Sequence, residues 1–290
     1  MKSSESKFFK SDEALQAYSA IKPSILKSVS AVDHLRFIDA ESFLVEARKT
    51  LVEYRKTCDD EISGLLDDLW VLDQYVDAFS SYNRMWNDII DQKYSSSWNE
   101  LQNVLDRLRW IKKFSNITVC ALELQMLGLE SLYPYQIFFS AGWIVDYFVC
   151  AICGNDYGSD ECSHIVGELY KGKFASISPN KIIEMDHVSA VEHPADKRCV
   201  VQYPDQSNHF RNVDNLASFI RSNEQAISNF SSVNAIKIDV KNPKYRMLRR
   251  NDLCFCESGI KFKKCCISKK IVAGKFFQFV FEGKSGAVVS

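Results

Sequence analysis

Four cysteines near the end of the chain have the spacing of a metal site. Cys254 and Cys256 form one pair, and Cys265 and Cys266 form an adjacent pair after eight intervening residues. A turn that carries two thiolates can meet a second pair at the start of a short helix, so that four sulfurs surround one ion. Zn²⁺ accepts such a tetrahedral sulfur set at roughly 2.3 Å. The spacing therefore predicts a bound zinc ion.

A second group of metal-binding residue types lies in the middle of the chain. Cys150 and Cys153 form a Cys-x-x-Cys pair, and Cys162 and His164 follow after eight further residues. Three sulfurs and one imidazole complete another four-ligand set, and Gly154 supplies the backbone freedom that a tight knuckle turn needs. We therefore predict two Zn²⁺ ions, one in each set.

Two alternatives concern this second set. Either His187 or His193 is close enough in sequence to replace His164 as a ligand, and Cys199 is a further candidate ligand. A redox-active Cys-x-x-Cys pair is the other alternative, but a thioredoxin-type site needs a strand before it and a helix after it. The redox interpretation also leaves Cys162 and His164 unexplained.

Both ligand sets predict a metal ion with a structural rather than a catalytic role. Four protein ligands leave no position for water or substrate, whereas catalytic zinc keeps one position open. Binding of a structural Zn²⁺ contributes on the order of 10 kcal/mol to a module too small to fold on its own core. A zinc-dependent hydrolase using Asp186, His187 or His193 is an alternative, but these residues form no complete catalytic constellation. We expect a non-enzymatic protein with no catalytic residues.

The segment 249–266 resembles the SEC-C motif, the zinc-binding tail of the bacterial translocation ATPase SecA, which also occurs at the ends of many unrelated proteins. The chain matches the family pattern at Arg250, Asn251, Asp252, Cys254, Cys256, Ser258, Gly259, Lys261, Lys263, Lys264, Cys265 and Cys266, with Phe262 at the aromatic position. It departs at Leu253 and Phe255, where proline is usual, and at Glu257, where glycine is usual. The resemblance implies a zinc-bound fold but no ATPase, because the sequence has no Gly-x-x-x-x-Gly-Lys-Ser/Thr phosphate loop.

The segment 150–172 resembles a small zinc module of phage and bacterial proteins. The shared pattern is Cys-x-x-Cys-Gly, then Cys-x-His-Ile-x-Gly-x-x-Tyr-x-Gly, and Ser189, Val191, Pro194 and Ala195 follow in matching order. This resemblance implies one unit over residues 149–203, in which strands pair beside the zinc knuckle.

Charge is unevenly distributed along the chain. The formal net charge is −1, yet residues 241–270 hold ten bases against two acids, and residues 1–148 hold six more acids than bases. The candidate partner-binding cations are Arg249, Arg250, Lys261, Lys263 and Lys264. This asymmetry points to an acidic partner.

The resemblance suggests what that partner is, because SEC-C tails dock onto protein partners and their basic faces have been linked to ribosomes and anionic lipids. We expect a zinc-binding adaptor that docks a protein or ribosomal partner through its basic tail. The alternative is a nucleic-acid-associated component of a phage-defence or mobile-element system, in which the same tail contacts phosphate. A simply solvated run of charge is the third interpretation.

Apolar residues at helical intervals predict antiparallel helices, packed as a hairpin or small bundle, over about residues 39–132. One helix has a seam close to a coiled-coil heptad, and Ser97 with Glu100 forms a capping-box signature at its start. A short helix from Ser11 is expected to end before Pro23. Spare apolar surface on these helices permits a homo-oligomer.

The most apolar run, residues 137–153, contains Gly142 and Asp146, so we interpret it as a buried core helix and expect no transmembrane segment. Strands are expected over 182–191, 199–203 and 271–281.

These elements predict a mostly α N-terminal helical hairpin or bundle (1–148), then a small α+β zinc-stabilised domain (149–240). A short C-terminal SEC-C zinc module with an extension (241–290) completes the prediction. The N-terminus lacks the apolar core of a signal peptide, so we expect a cytoplasmic, bacterial or phage-related protein.

Overall fold

The computed structural model describes residues 9, 11–56, 63–241, 248–254, 258–267, 271–282 and 288–289. The chain divides into two compact units, Met1–Ser228 and Asn229–Ser290. The three predicted domain ranges stay predictions. Within the described residues, no helix is both long and apolar enough to cross a membrane.

A helical region opens the first unit, as predicted from the apolar periodicity. Its helices are α1 (Asp12–Asp33), α2 (Phe37–Lys56), α3 (Ser63–Ile90), α4 (Tyr94–Phe114) and α5 (Cys120–Glu130). Consecutive helices from α1 to α4 pack side by side, because each turns an apolar stripe towards its neighbours. Leu44, Leu72, Trp86 and Leu101 are fully buried in this core.

Helix α1 corrects one expectation, because it continues through Pro23 to Asp33. A proline inside a helix costs about 3 kcal/mol. Ile21 and Ile25 are buried on either side of Pro23 and provide packing that offsets this cost. The predicted start is correct: Ser11 is the N-cap, and its hydroxyl accepts a hydrogen bond from the Ala14 N–H at 3.1 Å.

The predicted capping box of α4 is wrong. The helix begins at Tyr94, so Ser97 lies inside its first turn and bonds the Tyr94 carbonyl. The carboxylate of Asp205 instead accepts the Ser95 N–H at 2.9 Å, which satisfies a first-turn donor from a distant loop. Glu100 accepts a hydrogen bond from Arg84 of α3 at 2.8 Å rather than closing a cap.

Short antiparallel strands follow the helices. They are β1 (Phe138–Val145), β2 (Phe148–Cys150), β3 (Leu169–Tyr170), β4 (Lys173–Phe174), β5 (Ile177–Pro179) and β6 (Ile182–Val191). They form three two-stranded sheets, β1 with β6, β2 with β5 and β3 with β4. The expected strand 182–191 is confirmed, whereas 199–203 contributes only an isolated bridge between Val200 and Phe138.

The interpretation of residues 137–153 as a buried helix is wrong, because this run forms β1 and β2. An uninterrupted apolar run does not by itself distinguish a helix from a strand. Gly142 pairs with His187 of β6, and a Cβ at Gly142 would lie 2.6 Å from the His187 ring. The glycine that would weaken a helix therefore admits the histidine ring across a strand pair.

The segment that follows β2 packs on the helices. The Phe174 ring stacks on the Trp70 ring of α3 with centroids 5.5 Å apart, and it also contacts Trp110 of α4. The Gly172 N–H donates a hydrogen bond to Asp67 at 2.8 Å. These contacts fix the β3–β4 pair relative to α3 and α4.

The segment just before β1 is fixed near the start of α4. The Trp98 indole N–H donates to the Lys197 carbonyl at 2.9 Å, and its ring packs against Tyr133 and Tyr135. Helix α6 (Arg211–Asn223) lies beside this cluster, because Asp214 accepts the Tyr94 hydroxyl at 2.7 Å.

The second unit contains a three-stranded antiparallel sheet in the order β7–β8–β9, with β7 at Phe230–Lys241, β8 at Ile271–Phe281 and β9 at Val288–Val289. The strand expected over 271–281 is confirmed as β8. The predicted SEC-C segment lies between β7 and β8 in the sequence.

We predict that Gly172→Ala destabilises the protein much more than Gly154→Ala. Both glycines have positive φ, 72° and 78°, so alanine costs about 1 kcal/mol at each. At Gly172 the new Cβ would also lie 2.9 Å from the Leu66 carbonyl oxygen, whereas no atom lies within 4 Å at Gly154. We expect about 2–4 kcal/mol lost for Gly172→Ala, measured by urea unfolding with excess zinc. Equal losses would contradict the packing assigned to Gly172.

Candidate metal centre

The first cluster begins where β2 ends. Cys150 is the last residue of β2, and its N–H donates to the Asn155 carbonyl at 2.9 Å. The Gly154 N–H donates to the Cys150 carbonyl at 2.8 Å, which closes a tight turn around Cys153. Gly154 has φ 78°, a conformation that glycine adopts without strain, so the predicted knuckle turn is present.

Cys162 and His164 approach this turn from the following loop. The Cys162 N–H donates to the Ser159 carbonyl at 3.1 Å, and the Cys162 Sγ lies 4.0 Å from His164 Nδ1. Tyr170 of β3 packs edge-on against the His164 ring, with centroids 4.7 Å apart. The Tyr170 hydroxyl also accepts the Ile165 N–H at 2.9 Å, so this tyrosine orients the loop that carries the imidazole.

One ligand atom from each of Cys150, Cys153, Cys162 and His164 lies within 4.8 Å of every other. In a tetrahedral site with Zn–S bonds of roughly 2.3 Å, neighbouring sulfurs are about 3.8 Å apart, so a small contraction would complete the site. Cys150 is buried and Cys153 is exposed, so the cluster is at the surface of the unit. The geometry fits a closed, structural zinc site.

The pKa values of Cys150 and Cys162 are shifted in opposite directions. The backbone N–H groups of Cys153 and Ile152 lower the pKa of the Cys150 thiol. At Cys162 the His164 N–H acts in the same direction, but burial and the neighbouring thiols outweigh it and raise the pKa. A divalent cation favours the thiolate form of each ligand, so metal binding releases protons here.

The second cluster lies in the C-terminal unit. Cys254, Cys265 and Cys266 lie with their sulfurs within 4.8 Å of one another, and the Cys265 and Cys266 sulfurs are 3.7 Å apart. Cys256, the fourth predicted ligand, lies outside the described residues. Three thiolates in this arrangement fit a soft cation such as zinc, which takes a fourth sulfur readily.

Backbone hydrogen bonds hold the second cluster in shape. The Cys254 N–H donates to the Ile260 carbonyl at 2.9 Å, and the Phe262 N–H donates to the Asp252 carbonyl at 2.8 Å. Gly259 has φ 69° in the connecting turn. Phe262 packs with Cys254 and Cys266 in a small buried core, so the aromatic position of the motif is structural.

The other candidate ligands lie elsewhere. Cys199 is exposed, and its carbonyl accepts the Phe139 N–H at 2.8 Å beside the start of β1. His187 is exposed on β6 with Nδ1 2.9 Å from Asp186, and His193 lines a cavity with Glu192. Neither His187 nor Cys199 belongs to the metal-binding groups found among the described residues.

The sequence reasoning missed the residues that support the first cluster. Tyr170 and Asn155 orient the ligand loops, and Asp67 anchors Gly172 from α3. Asp67 interrupts an apolar stretch of α3 at a buried position, which was a usable signal because buried carboxylates need partners.

We predict two zinc ions per chain in protein purified without chelator. Cys153→Ser should lower the zinc content to one, because it removes one thiolate from the first cluster. Cys199→Ser, the matched control at an exposed cysteine outside both clusters, should retain two. Metal content is measured by inductively coupled plasma mass spectrometry. A loss of zinc from Cys199→Ser, with none from Cys153→Ser, would overturn the ligand assignment.

Removal of zinc should unfold the two small modules and spare the helices. Each cluster carries little core of its own, whereas α1–α4 share a large one. Hydrogen-exchange mass spectrometry with a strong chelator should show faster exchange in residues 150–179 and 250–267 and continued protection in α3 and α4. Unchanged exchange after complete zinc removal would defeat this prediction.

A known protein-family model matches the segment that contains the C-terminal cluster. Residues 250–267 match the family model described as the SEC-C motif. No curated protein and no solved structure matches the chain. The matched segment is short, so it identifies a module of the chain. The SEC-C motif and the two cysteine-rich clusters together support a metal-binding role, with geometry that fits zinc.

Proposed function

We propose that this protein is a non-enzymatic, zinc-binding adaptor whose SEC-C motif docks it onto a protein or ribosomal partner. The observation that carries the proposal is the surface of the motif. Cys254, Cys266 and Phe262 are buried, while the five predicted cations are all exposed: Arg249, Arg250, Lys261, Lys263 and Lys264. In this proposal the bound zinc stabilises the fold that presents this surface, and it takes no part in a reaction.

Two exposed aliphatic side chains favour a protein partner. Leu253 is 69% exposed and Ile260 is 48% exposed, and Leu253 bridges to Lys261 through the backbone. Protein interfaces combine an apolar centre with a polar, charged rim, and this module offers both in a few residues. Leu253 stands where the family pattern has proline, so this chain adds an apolar contact of its own.

The alternative, a nucleic-acid contact, is supported by the same cations but not by Phe262, the aromatic residue of the motif that the structure describes. Proteins that bind single strands stack bases on exposed rings. Phe262 is 2% exposed, so it is unable to stack on a base while the motif is folded. Phosphate contact by the cations alone would be strongly salt-dependent and independent of sequence.

The proposal also places the protein in a reducing compartment, the cytoplasm, where thiols stay available to metal.

Reversing the charge of Lys263 and Lys264 together should weaken partner binding about tenfold or more, since rim cations set the electrostatic complementarity. The matched control reverses Lys22 and Lys49, two exposed lysines of α1 and α2. Purified ribosomes serve as the first probe in a co-sedimentation assay, and a tagged-protein pull-down from lysate with and without nuclease serves as the second.

Binding that survives nuclease and is lost only in the Lys263/Lys264 variant supports the adaptor. Binding that disappears with nuclease and falls steeply with salt supports the nucleic-acid alternative. Equal binding by the two double variants would overturn any role for the basic surface.

A further inference from the structure

The paired strands β1 and β6 form a ribbon whose two faces differ. Residues on β1 alternate regularly, because both irregularities in the pairing insert an extra residue on β6, at Asp186 and at Ile183. Residues directly opposite each other in an antiparallel pair share a face. The register therefore assigns each side chain of the ribbon to one face or the other.

One face carries only apolar side chains from β1. Phe139, Ala141, Trp143 and Val145 alternate along the strand and so lie on the same side. Trp143 is 52% exposed, and Phe139 and Ala141 are exposed as well. An indole of this size open to solvent is unusual for a strand residue that has no role at an interface.

The β6 residues on this face are apolar too. Ala190 pairs with Phe139, Val188 with Ala141, Met185 with Trp143 and Ile182 with Val145. Met185 is 57% exposed and Val188 is 55% exposed. We call these four pairs the apolar face of the ribbon.

The charged residues of the ribbon lie on the opposite face. Glu184 pairs with Ile144, which alternates away from the apolar face. The His187 ring covers Gly142 on that same opposite side, and Asp186 contacts His187 Nδ1 at 2.9 Å. Burial of the apolar face therefore removes no charge from water, which is the main cost that such burial could incur.

At the start of β1, the apolar face continues into a cavity of about 370 Å³. Tyr135, Ile137, Phe139, Val201 and Tyr203 line it, and Ile137 and Val201 are more than half exposed. Since most of these side chains are exposed and several are about half exposed, the face and the cavity rim together offer on the order of 800 Å². That area matches the share of one partner in a standard protein interface and exceeds the usual exposed patch of a monomer.

We propose that the apolar face is a dimer interface that binds a second copy of this chain, face to face about a two-fold axis. Such an axis places the Trp143–Met185 pair of one copy against the Ala141–Val188 pair of the other. Large side chains thus meet small ones, as close packing requires.

The remaining two pairs fit in the same way. The axis places the Phe139–Ala190 pair of one copy against the Val145–Ile182 pair of the other. It also brings Trp143 of one copy near the cavity at the start of β1 in the other. A two-fold interface uses one patch twice, so the patch must be complementary to itself, and this one is. The proposal does not depend on the SEC-C module or on its partner.

Sedimentation equilibrium of the zinc-loaded full chain tests the proposal. The wild-type protein should sediment at twice the 33.2 kDa chain mass at high-micromolar concentration. Val188→Lys places a charge in the centre of the interface and should raise the dimer dissociation constant about a hundredfold or more. Ile144→Lys, the matched control on the opposite face beside Glu184, should leave the dimer intact.

Val188 and Ile144 are both exposed, so neither variant should change the thermal unfolding of the monomer, recorded by circular dichroism at a concentration below the dimer dissociation constant. A photo-cross-linking residue at position 141, in a mixture of isotopically light and heavy chains, should join two copies at residues 143 and 185. A wild-type monomer at every concentration, a dimer unaffected by Val188→Lys, or cross-links that map to α1–α5 would each overturn the proposal.

Discussion

The packing of the Phe174 ring between α3 and α4 is the constraint on which the arrangement of the first unit depends. Trp70 and Trp110 bind this ring near one end of α4, and Trp98 holds the start of β1 near the other. The β1–β6 ribbon must therefore run between two fixed points. Both faces of the ribbon are largely exposed to solvent, because the ribbon is attached to the helices at its ends and not along its middle.

A zinc ion bound at the first cluster would make this attachment effective. A loop as short as the one from Cys150 to His164 has almost no core, so a four-ligand ion would supply the rigidity that apolar burial supplies in α1–α4. Tyr170 would transmit that rigidity to Phe174, because its ring contacts His164 and its strand β3 pairs with β4, which carries Phe174. The ligand set and the aromatic contact would then act as one support for the knuckle.

The ligand sets could be predicted from the sequence because their members are close along the chain, so spacing alone constrains their geometry. Helices α2 to α4 were predictable for the same reason, since a 3.6-residue period is local. Strand β1 could not be predicted in this way, because its conformation depends on pairing with β6, which lies far along the chain. Only the pairing shows that Gly142 makes room for His187. At Pro23 the packing of the neighbouring residues likewise outweighs the tendency of proline to end a helix.

The position of the first cluster in the sequence also affects the length of the loop that the β1–β6 pair must close. Val145 and Ile182 pair with each other although a long segment separates them, and closing a long loop before any contact forms is slow. The zinc knuckle and the β2–β5 pair lie inside that segment. Once they form, the effective loop is a short turn, and β1 and β6 zip together from the knuckle outwards like a hairpin. An ion bound at the first cluster would therefore favour the pairing of β1 with β6 as well as the stability of the folded unit.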